Sequence, residues 1–138
     1  MEDFNVVRKR TEIPVEDTWA LEDIYSTDEA WEQDFAKVEE DKNTLSAYEG
    51  KLGDAENLYG YLHTMETADA RIERLAHYCM RKADEDTRVG KYQAMSGKFM
   101  SAVVALSAAC SFETPQIMAI SDEELDGFYK ACPDLERY

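Results

Sequence analysis

Basic residues are scarce in this 138-residue chain. Fifteen Lys and Arg stand against 30 Asp and Glu, a formal net charge of −15. Such a balance argues against nucleic acid and anionic membranes as partners, because phosphate recognition needs a basic face. Cysteine is scarce too. Cys79, Cys110 and Cys132 form an odd set without a C-x-x-C pair, which argues against a disulfide framework and a thiolate zinc site. A reducing cytoplasm is the expected compartment. Long apolar runs are missing: the longest, residues 102–106, is far below the ~20 residues of a bilayer span. No membrane partner is expected on that ground. The opening residues Met1-Glu2-Asp3 do not begin the apolar stretch of a signal peptide. No internal repeat and no low-complexity segment occurs.

What remains is a well-stocked globular composition. Apolar residues make up 44% of the chain, with 8 Tyr, 5 Phe and 2 Trp to pack a core. A domain this long buries roughly two-thirds of its chain surface and needs no covalent staples. The charge is uneven. Residues 1–60 hold 17 acids and 6 bases, residues 61–112 hold 6 and 7, and residues 113–138 hold 7 and 2. A nearly neutral centre between acidic flanks predicts a central middle segment, with flanks facing solvent or a basic partner.

Apolar periodicity predicts an all-α fold. Residues 1–27 read as an irregular N-terminal arm, with a solvated basic triplet (Arg8, Lys9, Arg10) and apolar anchors Trp19, Leu21, Ile24 and Tyr25. Residues 28–138 read as the helical domain. Ser26 and Glu29 form a capping box for a first helix carrying Trp31, Phe35, Val38, Leu45 and Tyr48, closed by Gly50 and Gly53. Asp54 caps a second helix of about 30 residues, whose stripe passes in phase through Gly60. The acidic run Asp84-Glu85-Asp86-Thr87 reads as a turn complementing the dipole of a third helix, capped by Asp86 or Thr87. That helix runs to Cys110 and breaks at Thr114-Pro115. Helices two and three should form a long antiparallel hairpin. Ser121 and Glu124 box a short fourth helix, which Pro133 stops. Asp134 then looks like the cap of a helix without a continuation, as if the domain were truncated at its C-terminal end.

Chemistry is hard to find. His63 and His77 lie fourteen residues apart, about 21 Å along a helix, and cannot share a metal. His63 with Glu66 matches one half of a di-metal carboxylate motif, but no second copy occurs. Cys79 and His77, two residues apart, point to different sides of a helix. There is no H-E-x-x-H, no G-x-S-x-G and no phosphate-binding glycine loop. No catalytic and no metal-ligating residue is therefore assigned, and substrate-binding residues stay unassigned.

The residues do resemble one family. Arg10-Thr11-Glu12-Ile13-Pro14, then Thr18-Trp19-Ala20-Leu21-Glu22-Asp23-Ile24-Tyr25, Asp28 and Trp31, look like the opening of oligoendopeptidase F. The likeness continues at Tyr48-Glu49-Gly50-Lys51-Leu52, at Tyr78-Cys79-Met80 with Asp84-Glu85-Asp86-Thr87, and at Ser111-Phe112 with Pro115. Gln116 departs from it, since the family carries Glu after that proline. The resemblance implies an N-terminal helical wall domain of a cytosolic zinc metallopeptidase of the thimet-oligopeptidase class. It implies a deep channel that admits short peptides, with zinc held by an H-E-x-x-H helix and a Glu toward a C-terminal catalytic domain, outside this segment. The segment alone is then inactive and self-associates through surface meant for that missing partner. The alternative is a free-standing acidic helical protein-interaction module.

Overall fold

The computed structural model describes residues 8–138; the part of the arm in residues 1–7, with its Met1-Glu2-Asp3 opening, lies outside the described residues. The described chain is helical, with no strand among the described residues. After 3-10 turns at Arg10–Glu12, Val15–Asp17 and Leu21–Asp23 come α1 (Asp28–Phe35), α2 (Lys37–Ser46), α3 (Ala55–Glu85), α4 (Gly90–Ala109), α5 (Glu113–Met118) and α6 (Asp122–Ala131). A 3-10 turn, Pro133–Arg137, follows α6.

The first predicted helix is two. Thr27, not Ser26, is its cap, accepting from the Ala30 amide at 3.1 Å. The helix is interrupted at Ala36, between α1 and α2. Trp31 and Val38 keep the same phase across the interruption and are both buried, so periodicity cannot reveal it. Gly50, at φ +76°, supplies the left-handed residue that turns the chain toward α3. Asp54 caps α3 by accepting from the Asn57 amide at 3.0 Å. The 31 residues of α3 span about 46 Å. Gly60 lies within it for a reason: a Cβ there would sit 2.7 Å from the Tyr48 hydroxyl.

The acidic run differs from expectation. Asp84 and Glu85 belong to the last turn of α3, whose buried stripe continues to Ala83. Arg10 crosses from the arm to pair with Glu85 at 3.0 Å, so the basic triplet is partly docked. Asp86 and Thr87 do not cap α4, which starts after Val89 without a side-chain cap. Asp86 instead accepts from the Arg88 guanidinium at 2.8 and 2.7 Å and from its amide. Those bonds hold its carboxyl down at about 2.

The break after α4 comes at Cys110, before Thr114-Pro115. Pro115 lies in the first turn of α5, where its missing N–H forfeits no helical bond. Residues Gly90–Met118 thus form one bent helix, long and apolar enough by length and composition to cross a membrane. Counting uninterrupted apolar residues missed this, because Ser and Gly end a run without adding charge. The Ser121–Glu124 capping box is present. Asp134 opens no helix: Pro133 starts the short turn that buries Leu135.

The hairpin is present, with α3 at the centre of the packing. Ser96 Oγ donates to the Cys79 carbonyl at 3.2 Å and Gln93 to that of Ala83 at 3.4 Å, fixing the antiparallel register of α4 on α3. One core cluster gathers Leu45, Leu52, Leu58, Tyr61, Leu106 and Leu135. The other gathers Leu21, Tyr25, Trp31, Leu75, Tyr78 and Phe99. Leu21 and Tyr25 therefore anchor the arm. Trp19 does not: it is 60% exposed, with the Arg81 guanidinium 5.3 Å from its ring. The neutral middle segment is central only in part, because α4 turns Met100 and Val104 to solvent.

Candidate functional site: ion clamps and clefts around the hairpin

Two carboxylates clamp the first helices to the hairpin. Asp28, in the first turn of α1, accepts from the Tyr78 hydroxyl of α3 at 2.8 Å, from Tyr92 of α4 at 3.3 Å and from Lys91. Burial by itself would raise the Asp28 carboxyl, but those donors together hold it below the usual range. Asp34 accepts from the Tyr25 hydroxyl at 2.6 Å and from Arg71 at 3.3 Å. Arg71 reaches from α3 to Asp41 of α2 as well. Burial opposes ionisation of Asp34 too, and the bonds from Tyr25 and Lys37 outweigh it. Carboxylates held ionised this way are poor general acids.

A third polar centre lies where α3 meets the bend. Tyr61 donates to Glu113 at 2.8 Å. A cleft of about 430 Å³ opens beside it, lined by Met65, Ile72, Val103, Leu106 and Cys110 among others. Asp69 stands at its edge, raised by burial and by the charges of Glu113 and Glu73. A wider groove of about 550 Å³ separates α1 from α4. The ion pairs Asp28–Lys91 and Glu32–Lys98 bridge it.

Neither nucleophiles nor metal ligands converge at these places. Burial pushes the thiols of Cys79 and Cys110 up, keeping them as protonated small hydrophobes. Burial, followed by their carboxylate partners, also pushes up Tyr25, Tyr61 and Tyr78. His63 is exposed, stacked on Tyr59 at 5.7 Å, with Nδ1 3.3 Å from the Tyr138 hydroxyl. His77 is exposed on the same helix. Among the described residues no three His, Cys, Asp or Glu side chains are grouped to hold a metal, so these residues do not fit a zinc ion. What the arrangement does is mechanical: it ties α1, α2 and the arm to a rigid hairpin. Sequence reasoning missed both clamps. Asp28 and Tyr78 are 50 positions apart, Asp34 and Arg71 are 37 apart, and no local pattern links them.

Gln116, the departure noted from the family pattern, has a visible task. Its Oε1 accepts from the Gly50 amide at 3.1 Å. That bond ties α5 to the turn before α3.

Comparison with known proteins points to peptidases. The chain is 35% identical over 135 residues to Oligopeptidase PepF of Bacillus subtilis, covering 97% of this chain and 20% of that protein. It is 32% identical over 138 residues to the plasmid-encoded Oligoendopeptidase F of Lactococcus lactis subsp. cremoris, covering 96% and 22%. It is 27% identical over 130 residues to Group B oligopeptidase PepB of Streptococcus agalactiae, covering 94% and 22%. Over nearly all of its length the chain resembles oligoendopeptidase F, and it spans about a fifth of the length of the curated relatives it matches. No protein-family model matches the chain, and no solved structure matches significantly.

Proposed function

We propose that this chain is the helical N-terminal wall domain of a longer, cytoplasmic, zinc-dependent oligoendopeptidase that hydrolyses short peptides. The observation that carries the reading is the 35% identity across 97% of the chain. In this reading the zinc is bound outside this segment. Zinc, when bound there, would polarise a water for attack on the peptide bond. This segment contributes shape. The Asp28 and Asp34 clamps and the two core clusters make a stiff surface, and a stiff wall excludes folded proteins while admitting short peptides. Its other partners in this reading are the catalytic domain and the peptide substrates.

The test uses the longer polypeptide that carries this segment. It should cleave quenched fluorescent peptides of about ten residues, stop with a chelator and resume with zinc, and leave a folded protein intact. Chelator-insensitive cleavage would remove the zinc assignment. A reading frame that stops after Tyr138 would remove the whole reading in favour of an acidic interaction module, which the exposed Met100 and Val104 would then serve.

A further inference from the structure

One face of α4 is built unlike the rest of the surface. From Phe99 to Phe112 the sequence carries no charged residue, although 33% of the chain is charged. Phe99, Leu106 and Cys110 of that stretch are buried. The opposite side is open: Gly97, Met100, Ser101, Val104, Ala105 and Ala108 are all exposed, at the three- and four-residue spacings that make one helix face. Val104 is 64% exposed and Met100 46%. Of the most apolar stretch of the bent helix Gly90–Met118, 28% is buried. A solvated helix face ordinarily carries charge, as α6 does with Asp122, Glu123 and Asp126.

We propose that this face of α4 is the seam where the remaining polypeptide of the peptidase packs, through a helix presenting large apolar side chains. The inference rests on the functional reading above and deepens it. Three observations select this occupant. The matched relatives are about five times as long as this chain, so most of such a protein lies outside the 138 residues and must meet them somewhere. From Met100 to Ala108 the face is uncharged in a chain of net −15, and Lys98 at its edge is turned to Glu32 of α1, which marks it for an apolar partner over a basic one. Its small exposed side chains, Gly97, Ser101, Ala105 and Ala108, let a neighbouring helix approach to ~8–10 Å between axes. A second copy would set small residues against small residues, with 15 net charges on each side. A bilayer would have to accept a helix whose other side is fixed on α3 through Phe99 and Leu106.

The experiment places a thiol at Val104→Cys and measures maleimide labelling of the peptide containing it by mass spectrometry. It compares the 138-residue chain with the longer polypeptide. Labelling should be fast in the short chain and at least about a hundredfold slower in the long one, since a covered site reacts only when the contact opens. Equal labelling in a long polypeptide that cleaves peptides overturns the seam and leaves the peptidase reading standing. Equal labelling that becomes slow only with added peptide also overturns it, placing the face in the substrate path. The short chain is diluted until light scattering reports a monomer; slow labelling of that monomer overturns the seam too, with co-sedimentation with phosphatidylcholine vesicles pointing to a membrane. A short chain that stays dimeric through this face at every dilution overturns it in favour of a second copy. A long polypeptide that shows the protection without cleaving any peptide supports the seam and fails the functional reading alone.

Discussion

Trp31 is the largest fully buried side chain among the described residues, and it joins α1 to the hairpin. It is fully buried, and its Nε1 donates to the Leu75 carbonyl of α3 at 2.9 Å. Its indole stacks on Phe35 with centroids 4.9 Å apart. Trp31→Phe removes that hydrogen bond, a net loss of about 1 kcal/mol. The Leu75 carbonyl lies inside α3, so it keeps helical company and adds no full desolvation penalty. The smaller ring leaves a void that costs about 1–2 kcal/mol more. Together that is roughly 2–3 kcal/mol, or about 10 °C in melting temperature for a domain of this size. Trp31→Ala should cost about 4 kcal/mol, a large share of a total that is typically ~5–15. Far-ultraviolet circular dichroism is the suitable probe, because the remaining Trp19 is largely exposed and reports little of the core. Trp19→Phe is the control and should shift stability by less than ~0.5 kcal/mol. A Trp31→Phe protein that melts within about 2 °C of the parent would refute the claim that this indole joins α1 to the hairpin.

Two further perturbations follow from the packing. Tyr25, Tyr61 and Tyr78 are buried and titrate above their ordinary value. The folded state keeps those three protons where the unfolded state releases them. Stability is therefore intact below about pH 10 and falls as pH rises beyond it, by up to about 4 kcal/mol per pH unit; urea midpoints that stay level from pH 9 to pH 11 would contradict this. Gly60 should show its dependence on Tyr48 in a double-mutant cycle. Gly60→Ala should gain up to ~1 kcal/mol of helix propensity in a Tyr48→Phe background, but little or nothing with the Tyr48 hydroxyl in place. Additive effects in urea titrations would show that the 2.7 Å approach is not what keeps glycine there.

The sequence made the main helices legible because their stripes are long. α3 is 31 residues with apolar positions from Leu58 to Ala83, and Asp54 and Ser121 mark starts by direct side-chain bonds. The errors fell where local signals compete. Thr27 and Ser26 are equally good caps in sequence, and only the extended backbone at Thr27 selects it. Asp86 looked like a cap for α4 until Arg88 engaged it. Pro115 looked like a terminator although it fits the first turn of α5. The long-range clamps, Asp28 to Tyr78 and Arg71 to Asp34 and Asp41, have no local signature. The near-neutral charge of residues 61–112 predicts a central segment, α4 included. Neutrality says only that a face avoids water, and here the hairpin partner covers just one side of it.

We propose that this segment carries no chemistry of its own, and the most direct test is made on the 138-residue chain alone. Folded and freed of other proteases, it is incubated with zinc and a quenched fluorescent peptide, with and without a chelator. The prediction is no cleavage above the buffer rate in either case. Cleavage that needs zinc and stops with the chelator would contradict it, and would place an active site among these residues.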